Sequence, residues 1–169
     1  MEIETKIIDN FLPPNDFKLL RDCIFSKDFS WFYQSIVAYK EVGVYWDWYH
    51  THNLYDKDNS NSSMYRDLYN MIIPKIEEVS EYHSLIRIKI NSYPYTEIIN
   101  EHDQHIDYTF ASYGGILSLN TCNGFTRLHD GTKLDSIENR FFIFDSSKPH
   151  NSTTTSDAKR RVNINFNWI

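Results

Sequence analysis

The chain has 169 residues, of which 41% are apolar and 24% are charged, a composition typical of one globular domain with a real core. Its formal net charge of −6 argues against tight, non-specific binding to nucleic acid, which needs a basic surface. The apolar runs are far shorter than the roughly 20 residues that a membrane-spanning helix needs, so no membrane partner is expected.

The amino terminus and the cysteines indicate where the protein acts. Residues 1–6 contain three charged side chains, Glu2, Glu4 and Lys6, and lack the apolar core of a signal peptide. Cys23 and Cys122 show neither a metal-binding spacing nor a disulfide framework, so both are expected to be free thiols. Free thiols persist in a reducing compartment, and the sequence therefore predicts a cytoplasmic protein.

The first part of the chain is predicted to contain two helices and a short strand. The strand spans residues 3–8, and the first helix begins at Pro14 or Asn15, since proline suits the first helical turn. The second helix spans residues 65–79, and Pro74 is expected to kink or divide it. The residues predicted on the core-facing side of the first helix are Phe17, Leu20, Cys23 and Ile24.

An aromatic-rich segment lies between these helices. Residues 45–50 are predicted to form a strand with Trp46, Trp48 and His50 on one face. Such a face can line a substrate pocket or pack within the sheet, and aromatic side chains more often do the latter. The polar residues that follow, 56–63, are predicted to form a loop.

The second half of the chain changes to the period of two that is typical of strands. In residues 85–93, three isoleucines alternate with polar residues, which places Asn91 and Tyr93 on the opposite face. Further strands are predicted over 115–120, 125–129, 132–136, 140–144 and 161–168, with Asp130-Gly131 as a hairpin turn. Short strands preceded by helices predict an α+β, mainly β fold, namely a jelly roll with N-terminal helices packed on one sheet.

The last predicted strand indicates that the interior of this barrel is polar. Its apolar residues would pack outward against the helices, and they are Val162, Ile164, Phe166 and Trp168. Its polar residues would point inward, and they are Arg161, Asn163, Asn165 and Asn167. Buried polar groups are costly unless they are hydrogen-bonded to one another, to water or to a ligand. The alternation therefore predicts a binding site inside the barrel.

A possible metal site lies in the segment 101–107. His105 and Asp107 are two residues apart, so on an extended strand their side chains would point the same way. His150 supplies a third ligand from elsewhere in the chain. Two histidines and one carboxylate on one face of an octahedral metal are the arrangement of non-haem Fe(II) oxygenases. The His-x-Asp pair is a weak signal by itself, and a solvated polar loop is the alternative.

The surrounding motifs occur in the order found in a known family. They are His105-x-Asp107, Leu119-Asn120, the segment 139–145, His150 and Arg161. Together they resemble the Fe(II)- and 2-oxoglutarate-dependent dioxygenases, in the prolyl-4-hydroxylase-like branch, whose fold is a double-stranded β-helix. The segments 9–13 and 87–94 are similar to those of small oxygenases common in marine bacteriophages, which implies a phage-encoded enzyme acting in a host cell.

The resemblance implies a ligand set and a reaction. His105, Asp107 and His150 would hold Fe(II), with 2-oxoglutarate and O2 as co-substrates. Halogenating relatives lack the carboxylate ligand, so the presence of Asp107 favours hydroxylation. The substrate would be a small molecule or a peptide, and succinate and CO2 would be released.

The resemblance also implies a binding site for 2-oxoglutarate. Arg161 would pair with its distal carboxylate, which suits a bidentate guanidinium. Ser118 would place a hydroxyl beside that carboxylate. Tyr93 would be a further contact, although Tyr95 competes for the same role. The whole chain would be one domain, in which residues 1–83 support a β-helix core formed by residues 84–169.

The remaining histidines are assigned no chemistry. His102 is three residues from a predicted ligand and could be a fourth, but the resemblance implies a position behind the ligands or on the surface. His129 adjoins the predicted hairpin turn and is expected to be exposed. His50, His52 and His83 have no partners in the sequence and are interpreted as structural.

Two other functions remain open at this point. One is a jelly-roll binding module with a polar pocket and no oxidation chemistry. The other is a cupin-like metalloprotein that does not use 2-oxoglutarate. Arg161 separates the cupin-like alternative from the dioxygenase, because a cupin without that co-substrate has no reason to bury an arginine in its barrel. Visible metal-to-ligand absorption with Fe(II) and 2-oxoglutarate would separate the dioxygenase from the binding module.

Overall fold

The computed structural model describes residues 3–38 and 45–169. Its helices are α1 (Pro14–Ile24) and α2 (Tyr65–Glu77). Its strands are β1 (Lys6–Ile8), β2 (Phe32–Gln34), β3 (Tyr49–Asp56), β4 (Asn59–Ser60), β5 (Leu85–Pro94), β6 (Tyr113–Ser118), β7 (Phe125–Leu128), β8 (Lys133–Asp135), β9 (Phe141–Asp145), β10 (His150–Ser152) and β11 (Arg160–Trp168).

The strands form two antiparallel sheets that face each other. The larger sheet has the order β1-β9-β6-β11-β5-β3-β2, with β4 paired to β3, and the smaller sheet has the order β10-β7-β8. An apolar cluster joins the two sheets, and its members are Ile116, Leu128, Leu134, Phe142 and Phe144. The predicted α+β, mainly β jelly roll, a double-stranded β-helix with helices on one sheet, is confirmed.

The main core lies between the outer face of the larger sheet and the two helices. It contains all four apolar residues of β11 that were predicted to face outward, Val162, Ile164, Phe166 and Trp168. The helices contribute Phe17, Leu20, Ile24, Leu68, Ile72, Ile73 and Ile76. Each such side chain stabilises the fold by about 1.5–3 kcal/mol when fully buried. The inner face of β11 is thereby left to its polar residues.

The aromatic segment at 45–50 differs from its prediction. Residues 45–46 lie in a turn, and β3 begins only at Tyr49. The ladders that β3 forms with β5 and β2 end at His50 and Tyr49, so residues 45–48 pair with no described strand. The prediction that the two tryptophans and His50 share a strand face is therefore wrong.

Other corrections also fall in the first half of the chain. Cys23 is exposed, because it lies at the edge of the narrow stripe that α1 buries. The helix α2 runs undivided through Pro74. An interior proline costs about 3 kcal/mol, and burial of the isoleucines on both sides of it offsets that cost. The predicted loop at 56–63 holds a hairpin, whose turn residues Lys57 and Asp58 have φ of 52° and 60°.

None of the described helices combines the length and the apolar character that crossing a membrane requires.

Candidate active site

His105, Asp107 and His150 converge at one point inside the barrel. One ligand atom from each residue lies within 4.8 Å of the others. The Nε2 atom of His105 is 3.9 Å from Asp107 Oδ1, and the Nε2 atom of His150 is 3.8 Å from Asp107 Oδ2. Among the described residues, no other set of three potential ligands meets in this way. We refer to these three residues as the candidate metal ligands.

The backbone holds the two histidines opposite each other. His105 and His150 form an isolated antiparallel bridge, in which each backbone N–H donates to the carbonyl of the other at 2.9 Å. Two residues later, the Asp107 N–H donates to the Ser146 carbonyl, again at 2.9 Å. Residues 105–107 are otherwise irregular, so the prediction of an extended strand there is wrong. These separate backbone contacts bring the side chains together instead.

The two imidazoles are prepared to act as neutral ligands. Nδ1 of His150 lies 3.0 Å from the Lys148 carbonyl. A carbonyl only accepts, so Nδ1 carries the proton and the Nε2 lone pair faces the site. Burial, together with His150 nearby, lowers the pKa of His105 to about 4. A neutral ring with a free lone pair is the form of histidine that binds a metal.

Asp107 is held by two residues that sequence reasoning did not assign to it. Arg87 Nη2 donates to Asp107 Oδ1 at 2.9 Å, and Asn167 Nδ2 donates to Asp107 Oδ2, also at 2.9 Å. Arg87 Nε in turn donates to Asn167 Oδ1 at 3.1 Å. Burial favours the neutral carboxyl group, but the Arg87 guanidinium, helped by the Asn167 hydrogen bond, outweighs it and lowers the pKa of Asp107 to about 2. Asp107 is therefore a fixed carboxylate.

Arg161 is fully buried and lies among neutral acceptors. Its Nε donates to Ser136 Oγ at 2.6 Å, its Nη2 to Thr126 Oγ1 at 2.9 Å and its Nη1 to the Thr153 carbonyl at 3.4 Å. Burial lowers the pKa of this guanidinium. Within residues 3–38 and 45–169, no carboxylate forms an ion pair with it. Burying a charge without a counter-ion is costly, and the described residues do not supply one.

The two tyrosines that competed for one role lie in different environments. Tyr93 is 5% exposed, and its ring centre lies 5.5 Å from the Arg161 guanidinium carbon. Tyr95 is 52% exposed. The difference follows from position, because Tyr93 is the cross-strand partner of Arg161 in the β5–β11 ladder, whereas Tyr95 lies beyond the end of β5. Of the two tyrosines, it is therefore Tyr93 that lies beside Arg161 in the interior.

The Ser118 side chain faces the barrel interior opposite a residue of β11 that lies two positions after Arg161. Its cross-strand partner is Asn163, which is paired in turn with Asn91. Asn91 Nδ2 donates to Asn163 Oδ1 at 3.2 Å, but the Ser118 hydroxyl and Asn91 Oδ1 are buried without a described protein partner. Buried polar atoms of this kind are expected to bind water or a ligand.

His102 lies behind the candidate metal ligands. It is buried, its Nδ1 lies 2.9 Å from Ser152 Oγ, and its ring centre is 5.4 Å from that of Tyr93. Burial, with Arg161 as the next cause, lowers its pKa to about 4. The expectation that His102 could lie on the surface is therefore wrong.

No protein-family model matches the chain, and no curated protein matches its sequence. Solved structures do match it. A prolyl hydroxylase from Trichoplax adhaerens, in complex with a hypoxia inducible factor oxygen degradation domain peptide fragment, has a TM-score of 0.65 at 16% identity, covering 97% of this chain and 82% of its own. A Pseudomonas putida prolyl-4-hydroxylase has a TM-score of 0.63 at 14% identity, with coverages of 98% and 91%. The non-heme alpha ketoglutarate dependent epimerase SnoN from nogalamycin biosynthesis has a TM-score of 0.68 at 9% identity, with coverages of 99% and 78%.

The chain has the fold of the 2-oxoglutarate- and Fe(II)-dependent oxygenases. The resemblance drawn from the sequence motifs is confirmed at the level of the fold. Since the fold is common to hydroxylases and an epimerase, it does not define the reaction.

The other motifs of the oxygenase resemblance have structural roles. Asn139 has a φ of 59°, and its side chain exchanges two hydrogen bonds with the Leu12 backbone, at 3.0 and 2.8 Å. Arg140 forms an ion pair with Asp9 at 2.6 Å. Asn120 Oδ1 accepts a hydrogen bond from the Val162 N–H at 2.9 Å and so holds the start of β11.

The remaining histidines lie away from the candidate metal ligands. His129 is exposed, as predicted. His52 bridges the Ser30 carbonyl and the Ser62 hydroxyl, which is a structural role. His50 belongs to an aromatic group with Trp48, and their ring centres lie 5.3 Å apart.

The sequence does contain a signal that Arg87 faces the barrel interior. Residues of one strand that differ by an even number share a face. Arg87 and Lys89 therefore face inward with Asn91 and Tyr93, whose inward position the isoleucine pattern predicts. The pattern places both cations in the barrel, but only the structure brings Arg87 to Asp107.

Proposed function

We propose that the protein is an Fe(II)- and 2-oxoglutarate-dependent oxygenase that hydroxylates a substrate with release of succinate and CO2. The observation that carries the proposal is a fully buried arginine, Arg161, which has no anionic partner among the described residues and lies in the same barrel as the candidate metal ligands. A metal site alone would fit many enzymes. A metal site combined with a buried anion site fits a co-substrate that has a carboxylate at its far end.

The residues present fit both groups. The two imidazoles and one carboxylate of the candidate metal ligands are the donor set that would hold Fe(II). The Arg161 guanidinium, with Tyr93 beside it and the unpartnered Ser118 hydroxyl one step along the sheet, fits the distal carboxylate of 2-oxoglutarate. When iron is bound, the chemistry it supplies is oxidation of 2-oxoglutarate by O2 to succinate and CO2, coupled to insertion of one oxygen atom into a substrate C–H bond.

The chain itself contributes position and charge. Arg87 and Asn167 fix both oxygens of Asp107, so this ligand does not have to be ordered when a metal arrives. Lys148 sets the tautomer of His150 through its carbonyl. Arg161 orients the co-substrate by its far end. We further propose that residues 1–169 act as one domain with its catalytic core in residues 84–169. The cytoplasmic location of the protein stays a prediction.

The proposal is tested by adding Fe(II) and 2-oxoglutarate to the protein under anaerobic conditions. Chelation of the metal by 2-oxoglutarate should give a visible charge-transfer absorption band, and admission of O2 should release succinate. Replacing His105, Asp107 or His150 with alanine should abolish both signals, because each residue supplies one third of the protein ligands. His129→Ala is the matched control, since His129 is exposed, and it should behave as wild type.

Two results would contradict the proposal. One is 2-oxoglutarate turnover that survives exhaustive chelation of the metal. The other is no absorption band in the wild-type protein, which would favour a jelly-roll binding module without oxidation chemistry.

A further inference from the structure

Lys89 faces the cavity of the candidate metal ligands and has no part in the site described so far. It lies on β5, two residues from Arg87, with Asn165 of β11 as its cross-strand partner. The cavity that it lines also contains His105 and the other two candidate metal ligands. Apolar or neutral side chains would pack there at lower cost than an ammonium group.

The Lys89 ammonium has no ion-pair partner within residues 3–38 and 45–169. Its hydrogen bond goes to the hydroxyl of Tyr49, with an Nζ–O distance of 3.4 Å, and its Nζ lies 5.4 Å from the centre of that ring. The carboxylates whose charge acts on it are Asp107 and Asp56, and neither forms an ion pair with it. Burial, with Arg87 close by, lowers the pKa of Lys89 to about 8. The cation is therefore held out of water without a counter-ion from the described chain.

The other two cations of the barrel interior already have partners. Arg87 is paired with Asp107 at 2.9 Å. Arg161 is taken by the distal carboxylate of 2-oxoglutarate in the proposed function. Arg161 lies opposite Tyr93, four residues along β5 from Lys89, which corresponds to about 13 Å of extended strand. Of these three cations, Lys89 alone has neither a described ion-pair partner nor a proposed one, and it lines the same cavity as the candidate metal ligands.

We propose that Lys89 binds an anionic group of the prime substrate, a carboxylate or a phosphate, and so holds the substrate beside the candidate metal ligands. The proposal rests on the function proposed above and names the substrate class, a small acid. A divalent metal with Arg87, Lys89 and Arg161 carries more positive charge than Asp107, Asp56 and the dianionic co-substrate balance, so the filled site favours a further anion. A neutral peptide segment would leave the Lys89 charge uncompensated.

The test uses the anaerobic complex of the protein with Fe(II) and saturating 2-oxoglutarate, in which Arg161 is occupied. Acetate, inorganic phosphate and neutral acetamide are titrated at constant ionic strength while the charge-transfer band is recorded. We expect acetate or phosphate to shift the band saturably and acetamide to leave it unchanged. A response to acetate alone identifies a carboxylate site, and a response to phosphate alone identifies a phosphate site.

Lys89→Met retains the length of the side chain and removes its charge. It should lower the affinity for whichever anion shifts the band by at least about tenfold, since a charge-assisted hydrogen bond is lost. Lys89→Arg should retain the response, and Lys89→Gln is a second neutral variant in case Lys89→Met does not fold. Lys133→Met is the matched control, because Lys133 is an exposed lysine of β8 over the Phe125 ring.

Three outcomes would overturn the inference while the proposed function stands. They are no saturable response of the wild type to either anion, an unchanged response in Lys89→Met, and a comparable loss of affinity for 2-oxoglutarate itself in that variant. If no charge-transfer band forms in the wild type, the proposed function fails first and the inference fails with it.

Discussion

Arg160 and Arg161 are neighbours in the chain and lie on opposite faces of β11. Arg161 is fully buried inside the barrel. Arg160 is half-buried on the helix side, where its guanidinium carbon lies 4.6 Å from the centre of the Phe25 ring and 5.5 Å from that of Trp31. The alternation of side chains along a strand explains the difference.

These two arginines give the first prediction at the scale of residues. Arg161→Ala should weaken 2-oxoglutarate binding by about 2–5 kcal/mol, the usual cost of breaking a buried charged contact. Arg160→Ala should leave that affinity unchanged and lower the free energy of unfolding by about 0.5–1 kcal/mol, through the lost cation–π contact. Calorimetric titration of 2-oxoglutarate into both variants, with the metal bound and O2 excluded, measures the difference. A larger loss of affinity in Arg160→Ala would refute the assignment of the anion site.

Asn167 and Asn165 give the second prediction at this scale. Both face the barrel interior from β11, but only Asn167 donates a hydrogen bond to Asp107. Asn167→Ala should weaken binding of a divalent metal by about 10- to 100-fold, the usual effect of removing a hydrogen bond to a metal ligand. Asn165→Ala is the matched control, because Asn165 Oδ1 has no described partner and the residue does not contact Asp107. Competition with a chromophoric chelator reports both affinities, and equal losses would contradict the specific role of Asn167.

At the scale of elements, the amino-terminal segment is tied to the turn before β9. Asn139 adopts the left-handed region with a φ of 59° and binds the Leu12 backbone through both its oxygen and its nitrogen. Beside it, the rings of Phe11 and Phe141 stack with their centres 4.3 Å apart. Just before these residues in the chain, β1 pairs with β9 at the edge of the larger sheet. The start of the chain is thus part of the sheet that carries the site.

The Asn139 contacts lead to a prediction about stability. Asn139→Ala should destabilise the fold by about 2–4 kcal/mol, because two buried hydrogen bonds are lost and alanine is strained at positive φ. Asn139→Gly should recover about 1 kcal/mol of this loss, since glycine tolerates that backbone conformation. Urea unfolding of the two variants and the wild type separates the contributions. Equal stability of the alanine and glycine variants would mean that backbone strain makes no contribution here.

At the scale of the whole molecule, the two sheets and the proposed ligands form one cooperative unit. Arg161 on β11 bonds to β7 through Thr126, and His150 on β10 meets Asp107 beside β11. Ligands that bind only the folded state should therefore stabilise the whole barrel.

This coupling predicts the thermal behaviour. Metal and 2-oxoglutarate, each present at about 100 times its dissociation constant, should each add about 2.7 kcal/mol to the free energy of unfolding. In a chain of this size, each kilocalorie per mole raises the unfolding midpoint by about 2–4 °C. Arg161→Ala should lose the increment from 2-oxoglutarate and keep that from the metal, whereas His150→Ala should lose both. Anaerobic thermal scans with each ligand alone and in combination measure these increments, and an additional rise with 2-oxoglutarate in the His150 variant would argue against a shared site.

The sequence by itself determined the features that depend on local periodicity. The strict alternation over 161–168 correctly placed the apolar residues of β11 on the helices and Arg161 in the interior. The alternation of isoleucines over 85–93 likewise placed Tyr93 on the interior face of β5. The turn at Asp130-Gly131 lies where the hairpin signal predicts it, with Gly131 at a φ of 88°. Such features need only the geometry of one strand or one turn, which the order of residues already contains.

Only the tertiary structure decided which interior residues meet. Arg87 and Asp107 are twenty residues apart, and their ion pair depends on an irregular segment that no periodic pattern describes. The beginning of β3 at Tyr49 depends on where its ladders with β5 and β2 end, which its own aromatic residues do not indicate. The surroundings of Lys89 in the barrel, which offer it no ion pair from the described residues, likewise follow from the tertiary structure. A contact belongs to two distant segments at once, so it is decided when sheet pairing and core packing bring them together.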